Sequence, residues 1–370
     1  LKTGAERTEL YLDLLQNKNI AVVANQTSTI GATHIVDSLI SLGIKVKKAF
    51  APEHGFRGTA DAGEKVADGK DKKTGIPILS LYGRKNRKPS AEKLKAIDYV
   101  IFDIQDVGAR FYTYISTMHY VMEACAENNI PLILLDRPNP NGFYVDGPIL
   151  QPSQKSFIGM HPVPIVHGMT IAEYAQMING EKWLANGIQC ELKIVKIDHY
   201  SHKDKYQLPI APSPNLPNMT SIYLYPSLCL FEGTNVSIGR GTKTPFQIFG
   251  SPYVNKTDFS FTPKPTFGAK HPKHENVLCN GYDLTDFGNH FMPSLGELYL
   301  HWLTSMYQQS SNKAEFFRKD GFFNLLTGNK EVKKQIIEGK SVEIITATWK
   351  KDLENFKQIR EKYLLYEDFE

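Results

Sequence analysis

Pro52-Glu53-His54-Gly55 is the sharpest chemical signal in the chain. A carboxylate held against an apolar wall can have its pKa raised and act as a general acid toward a leaving oxygen. The same Glu could instead only cap the turn that follows. A second cluster runs Asp103-Ile-Gln-Asp106-Val-Gly-Ala-Arg110-Phe-Tyr112-Thr-Tyr114, five polar or aromatic functions at one junction. Gly108 permits a turn there, and the helix start expected next offers free N–H groups to an anion such as a carboxylate. In the plainer alternative an Asp caps that helix and Arg110 pairs with an Asp. Asp136-Arg137-Pro138-Asn139-Pro140 fixes an extended turn, since each Pro pushes its predecessor out of helical geometry. Asp136 either faces a ligand or merely holds Arg137. Glu232-Gly-Thr-Asn235-Val-Ser-Ile-Gly-Arg240-Gly-Thr242 is a loop whose backbone donors and Arg240 could lie against a sugar or its acidic substituent.

These clusters sit where a particular architecture would bring them together. Residues 19–24, 46–50, 99–104 and 131–135 are short apolar runs, the last two nearly uninterrupted, as expected for strands covered on both faces. Residues 31–42 and 113–128 have helical length and periodicity. Strand, helix, strand in sequence implies right-handed crossovers and a parallel sheet, so the first 150 residues read as a Rossmann-like, doubly wound α/β layer. Each strand runs into a polar cluster: Asn25-Gln-Thr27, the Glu53 and His54 segment, Asp103 to Asp106, and Asp136 to Pro140. Ligands of open α/β sheets bind outside the carboxyl ends of the strands, so the four clusters are expected to share one crevice.

Beyond Gly147 the chain is richer in Pro and turns. Thr170 with Glu173 forms a capping-box pattern before a helix over 170–178, and 190–197 alternates like a strand. Residues 207–218 are a Pro-rich connector, strands are expected near 276–284, and helices near 294–307, 314–318 and 350–364. A second, smaller α+β subdomain over 151–370 is therefore expected to close the cleft of the first, over 1–150. A chain of 370 residues is long enough for two such cores.

Composition excludes several classes. Apolar residues make up 41% and charged residues 22%, ordinary for a globular enzyme. The net charge of +4 is dispersed, and the basic runs at 45–48 and 84–88 have acidic neighbours, so both read as solvated surface and not as a nucleic-acid face. Cys125, Cys190, Cys229 and Cys279 form no C-x-x-C pair and read as buried small hydrophobes. No apolar run reaches the length of a membrane span. After the first strand the text is Asn25-Gln-Thr-Ser-Thr-Ile-Gly31, without the glycine fingerprint of dinucleotide enzymes, and there is no phosphate-binding loop or G-x-S-x-G elbow. No cofactor is expected, and the spacing of Glu53, His54, Asp103 and Asp106 matches no standard metal pattern.

At these same residues the chain closely resembles the NamZ-type exo-β-N-acetylmuramidases, glycoside hydrolase family 171. The stretches that carry the resemblance are Asn25-Gln-Thr, Ala51-Pro-Glu-His-Gly-Phe-Arg-Gly58, Asp61-Ala-Gly-Glu64, Ser80-Leu-Tyr-Gly83, Phe102 to Tyr114, Leu135 to Pro140, His167-Gly-Met-Thr170, Pro212-Ser-Pro-Asn215, Phe231 to Asn235 and Gly239-Arg-Gly-Thr242. Phe56 and Ile238 depart modestly from the pattern. The resemblance implies a Rossmann-like subdomain, a smaller C-terminal one and a cleft between them. It also implies release of N-acetylmuramic acid from the non-reducing end of peptidoglycan fragments, in the periplasm or outside the cell.

That sugar carries a lactyl carboxylate and an acetamido group, so its site needs a cation and hydrogen-bond donors. Arg57, Arg110 and Arg240 are the candidate cations. Asn25, His54, Tyr112, Tyr114, Asp136, Asn139, Asn215, Glu232 and Asn235 are the other candidate contacts. With Glu53 as acid, Asp106, Asp103 or Glu232 could be base or nucleophile, or the substrate acetamide could assist. Two other readings compete. A non-catalytic muropeptide-binding protein would keep the Arg and Asn contacts without needing Glu53, and a metal-dependent hydrolase would hold metal at Glu53, His54 and Asp103.

Overall fold

The computed structural model describes residues 1–53, 55–57, 68–83 and 87–370. Seven strands form the main sheet: β1 (Asn19–Ala24), β2 (Lys45–Ala51), β3 (Gly69–Lys70), β4 (Pro77–Ser80), β5 (Tyr99–Asp103), β6 (Leu132–Leu135) and β7 (Leu192–Val195). Their spatial order is β3-β4-β2-β1-β5-β6-β7, all parallel except the short edge strand β3. Alternate residues of each strand serve opposite faces. Ile20, Val22 and Ala24 join Tyr11, Leu15, Ile35, Val36 and Leu39 on one side of the sheet. Ala21, Val23, Phe102 and Leu134 meet Ile115, Met118, Val121 and Met122 on the other. The covering helices are α1 (Ile35–Ser41) and α2 (Tyr114–Glu127), followed by α3 (Ile171–Gly180), which starts with the expected capping box of Thr170 and Glu173. The doubly wound layer is as expected. Its seventh strand comes from beyond residue 150.

The rest of the chain packs on the α2 side. Helix α4 (Met219–Leu228) follows the Pro-rich connector and contains Pro226, a residue that ordinarily argues against a helix. Pro226 cannot donate to the carbonyl of Ile222. Asn141 Nδ2 takes that acceptor at 3.2 Å, so the helix continues without a stranded buried carbonyl. A three-stranded antiparallel sheet follows, ordered Ile248–Ser251, Cys279–Asp283, Phe259–Phe261. The helix expected at 294–307 is divided by Gly296, left-handed at φ 61°, into Met292–Leu295 and His301–Gln309. Only a short 3-10 turn, Lys313–Glu315, stands at 314–318, while Lys350–Glu361 is helical as expected. All four cysteines are buried and unbridged. No helix among the described residues is long and apolar enough to cross a membrane.

Candidate active site

The site begins with strand register. Ala51 of β2 pairs with Ser80 of β4, so Glu53 and Tyr82, each two residues further on, leave the sheet side by side. The Tyr82 hydroxyl donates to Glu53 Oε1 at 3.0 Å. From the other direction Thr113, the residue that begins α2, donates its hydroxyl to Oε2 at 3.0 Å. The carboxyl is thus fixed between a strand end and a helix start, half-buried at the edge of a cleft of about 1150 Å³. Burial and the charge of Glu53 push the Tyr82 phenol up, so it remains a donor.

Aromatic rings and the C-terminal half complete the cleft. Tyr112, Tyr114 and Tyr225 meet edge to face at 5.0 and 5.6 Å. The hydroxyls of Tyr112 and Tyr114 both donate to Pro212 O, at 3.0 and 3.4 Å, so they are tied to the wall. Glu232 and Arg240 line the same cleft, with Arg240 Nε and Nη2 both on Glu232 Oε1 at 2.8 and 2.6 Å. Lys273 donates to the carbonyls of Phe231, Thr234 and Val236 at 3.2, 2.6 and 3.0 Å, which shapes this loop. Burial draws the Lys273 ammonium down to about 8.

Of the candidates read from sequence, Glu53, Tyr112, Tyr114, Glu232 and Arg240 therefore line one cleft. His54 and the Asp61–Glu64 stretch lie outside the described residues. The remaining candidates are placed elsewhere. The four polar strand ends were expected to share one crevice, but where the strand order reverses, between β1 and β5, the loop after β1 fills the space. Ser28 Oγ donates to Asp103 O, Gln105 N donates to Thr27 Oγ1 at 3.0 Å, and Asn25 Oδ1 accepts from Thr27. Asp103 is fully buried and bound to Arg137, with contacts of 2.6 and 3.0 Å. Asp136 accepts from Thr170, Ala172 N and Tyr366, and Asn139 Nδ2 donates to Met169 O. Asn25, Asp103, Asp136 and Asn139 are thus internal scaffolding, and the open space lies one strand further along, over β2 and β4.

The other displaced candidates have equally definite partners. Arg57 is held by Asp71 and Asp37, with contacts of 2.8 to 3.1 Å. Arg110 is fully buried, has no carboxylate partner among the described residues, and donates to the carbonyls of Pro148, Val163 and Leu326 at 2.7 to 2.9 Å. It thereby clamps the wall helix Phe322–Thr327 to the first half of the molecule. Asn215 Nδ2 donates to Gly268 O at 2.7 Å and so supports the cleft from behind. Asn235 belongs to the loop that Lys273 shapes, but it does not line the cleft.

Asp106 lies beneath the tyrosine layer, its Oδ2 accepting from Gly108 N at 2.7 Å while buried Oδ1 has no partner among the described residues. Burial pushes this carboxyl up to about 7. The folded protein thus keeps a proton that the unfolded chain releases near the ordinary carboxylate value. Stability accordingly falls as pH rises from that value through about 7. Asp136, also pushed up to about 7 by burial, adds to the same trend. Asp106→Asn keeps the acceptor for Gly108 N, and urea unfolding should show it losing less stability than the parent between pH 5 and pH 8. An unchanged pH slope would mean that Asp106 ionises without cost.

Three cleft residues have no separate functional reading in the sequence. Tyr82 and Thr113 are recognisable only within longer stretches, because their role depends on strand register and a helix start. Arg87, expected on a solvated face, lines the cleft, with its guanidinium 4.0 Å over the Phe157 ring. Its neighbour Lys88 is bound to Glu123 and Glu127 of α2 at 2.8 and 2.6 Å.

Comparison with known proteins agrees with this geometry. Residues 20–220 match the N-terminal, and residues 223–366 the C-terminal, family profile of the exo-β-N-acetylmuramidase NamZ. The chain belongs to the NamZ family. The two NamZ profiles meet just inside α4. Over 96% of this chain and 89% of the relative, it is 40% identical to the peptidoglycan β-N-acetylmuramidase NamZ of Bacillus subtilis (strain 168). Two crystal structures of DUF1343 family proteins from Bacteroides fragilis NCTC 9343 share the fold of this NamZ-family chain. One has a TM-score of 0.92 at 47% identity and the other 0.83 at 31%, each covering 99% of both chains.

Proposed function

We propose that this chain is an exo-acting glycoside hydrolase that releases terminal β-N-acetylmuramic acid from the non-reducing end of peptidoglycan fragments. The observation that carries the reading is Glu53, held by two hydroxyls at the edge of a sugar-sized cleft in a chain of the NamZ family. Glu53 donates a proton to the glycosidic oxygen as the bond to the anomeric carbon breaks, so the leaving sugar departs as an alcohol. Glu232, which lines the same cleft and is fixed by Arg240, supplies the second carboxylate toward the positive charge that develops on the ring. Water adds to the anomeric carbon and gives up a proton to a carboxylate of the cleft, so that Glu53 is protonated again for the next cycle. Tyr112, Tyr114 and Tyr225 offer ring faces and edges to the sugar.

Export to the periplasm or the cell exterior fits this reading, because the polymer lies outside the cytoplasmic membrane. The deciding assay offers a chromogenic β-N-acetylmuramide beside the matching β-N-acetylglucosaminide. Hydrolysis of the muramide with the glucosaminide at least about tenfold slower is expected, since a cation on the lactyl group supplies a hydrogen bond to charge worth that much. Tight binding of the muramide without any hydrolysis would favour the binding-protein alternative.

A further inference from the structure

Resting on that reading of the cleft, we propose that Arg87 recognises the lactyl carboxylate of the substrate and so sets the preference for muramic acid over its uncharged analogues. A carboxylate taken out of water needs a compensating donor, and the planar guanidinium fork is the best match for it. The three arginines that the sequence offered for this task are otherwise engaged. Arg57 serves Asp71 and Asp37, Arg110 serves three buried carbonyls, and Arg240 serves Glu232. Lys273, also in the wall, has its three donors on three backbone carbonyls.

Arg87 differs from all of these. Among the described residues its buried Nε has no hydrogen-bond partner, and no carboxylate pairs with its guanidinium. The guanidinium carbon lies 4.0 Å over the centre of the Phe157 ring, which holds the cation against an aromatic face while Arg87 lines the cleft. Phe157 in turn stacks on Tyr120 of α2 at 6.3 Å and 18°, and its carbonyl accepts from Ser116 Oγ of the same helix at 2.7 Å. Lys88 pins the adjacent backbone to α2 through Glu123 and Glu127. The guanidinium is therefore aligned by the helix whose N-cap residue, Thr113, also aligns Glu53. One rigid element thus spaces the proton donor from the cation. In the substrate the broken bond and the lactyl ether are likewise at a fixed spacing, on ring carbons 1 and 3. Tyr82, which donates to Glu53, lines the same cleft as Arg87.

The test compares a chromogenic β-N-acetylmuramide bearing the free lactyl acid with its neutral methyl ester, on the parent, Arg87→Gln, Arg87→Lys and Lys270→Gln. Arg87→Gln should lower kcat/KM on the acid by about 10- to 100-fold, mainly through KM, as expected for loss of a hydrogen bond to a charged group. The ester should be affected less than about threefold, so the acid-to-ester ratio collapses. Arg87→Lys should recover part of the ratio, and an unchanged melting temperature would separate recognition from folding. Retention of the parental ratio in Arg87→Gln overturns the proposal, as does an equal loss on both substrates, which a merely structural Arg87 would give. Collapse of the ratio in Lys270→Gln alone would reassign the carboxylate to Lys270. If the parent hydrolyses neither muramide, the reading of the cleft itself fails. That result cannot be confused with failure of Arg87 on an active enzyme.

Discussion

Replacing Glu53 by Gln lowers kcat on a natural N-acetylmuramyl disaccharide by about 10²- to 10⁴-fold, the range that general acid catalysis contributes. The amide retains the shape and can still accept one of the two hydroxyl hydrogen bonds from Tyr82 and Thr113. It has no proton to give to the departing oxygen. KM should change little, because Glu53 acts on the bond being broken. The loss should shrink on a substrate with an activated phenolate leaving group, which needs less protonation. That dependence separates an acid from a residue that only supports the wall. If Glu53→Gln turned over the disaccharide at a near-native rate, Glu53 would be only a turn residue, and Glu232 would be the next carboxylate to test.

The second large effect is on stability. Arg137→Met should cost about 3–5 kcal/mol in urea unfolding, because it strips the partner from a carboxylate that is fully buried. Arg137 also donates to Thr29 O at 2.9 Å, so the loop that fills the switch point loses an anchor in the same step. For a protein whose total stability is about 5–15 kcal/mol, this is a large fraction. Removing both charges, as Asp103→Asn with Arg137→Met, should cost less than removing Arg137 alone, since no bare charge is left inside. A double variant as unstable as the sum of the two singles would show that the pair is not coupled.

The parallel layer was legible from four apolar runs, and each of those strands lies within a residue or two of its expected bounds, because buried strands need near-continuous apolar sequence. A cleft beside carboxyl ends of strands was legible too, since Glu53 and Tyr82, which line it, follow β2 and β4. Which polar residues line the cleft was not. Asp103 and Asp136 look in sequence much as Glu53 does, a carboxylate at a strand end. What separates them is a loop from β1 that seals one crevice, and sequence spacing does not register how a loop packs. Tyr82 meets Glu53 through the pairing of Ala51 with Ser80, a tertiary fact between strands well apart in the chain that local periodicity does not reveal. Arg87 was hidden by its company: in a run of basic residues it resembles a solvated surface, and only the stack on Phe157 sets it apart. Helix α4 escaped because Pro226 normally forbids a helix, and its rescue comes from Asn141, far away in the chain.

The hydrogen bond from Tyr366 to Asp136 spans 230 positions of sequence. It does not stand alone. Leu365 N donates to Glu173 at 2.8 Å, His202 N donates to the Glu367 carbonyl at 2.9 Å, and Arg360 donates to Gly168 O while gripping the Asp368 carboxylate. The stretch from Arg360 to Asp368 is therefore a clasp on the first half of the molecule, and the two profile regions that meet in α4 are fastened a second time far along the chain. Two parts joined at two places cannot swing about a single hinge. A clasp of this kind restrains the cleft walls against swinging apart, which limits the binding free energy consumed in bringing them together. The same clasp makes folding slow to complete, because contacts between such distant positions form only after a large loss of chain entropy.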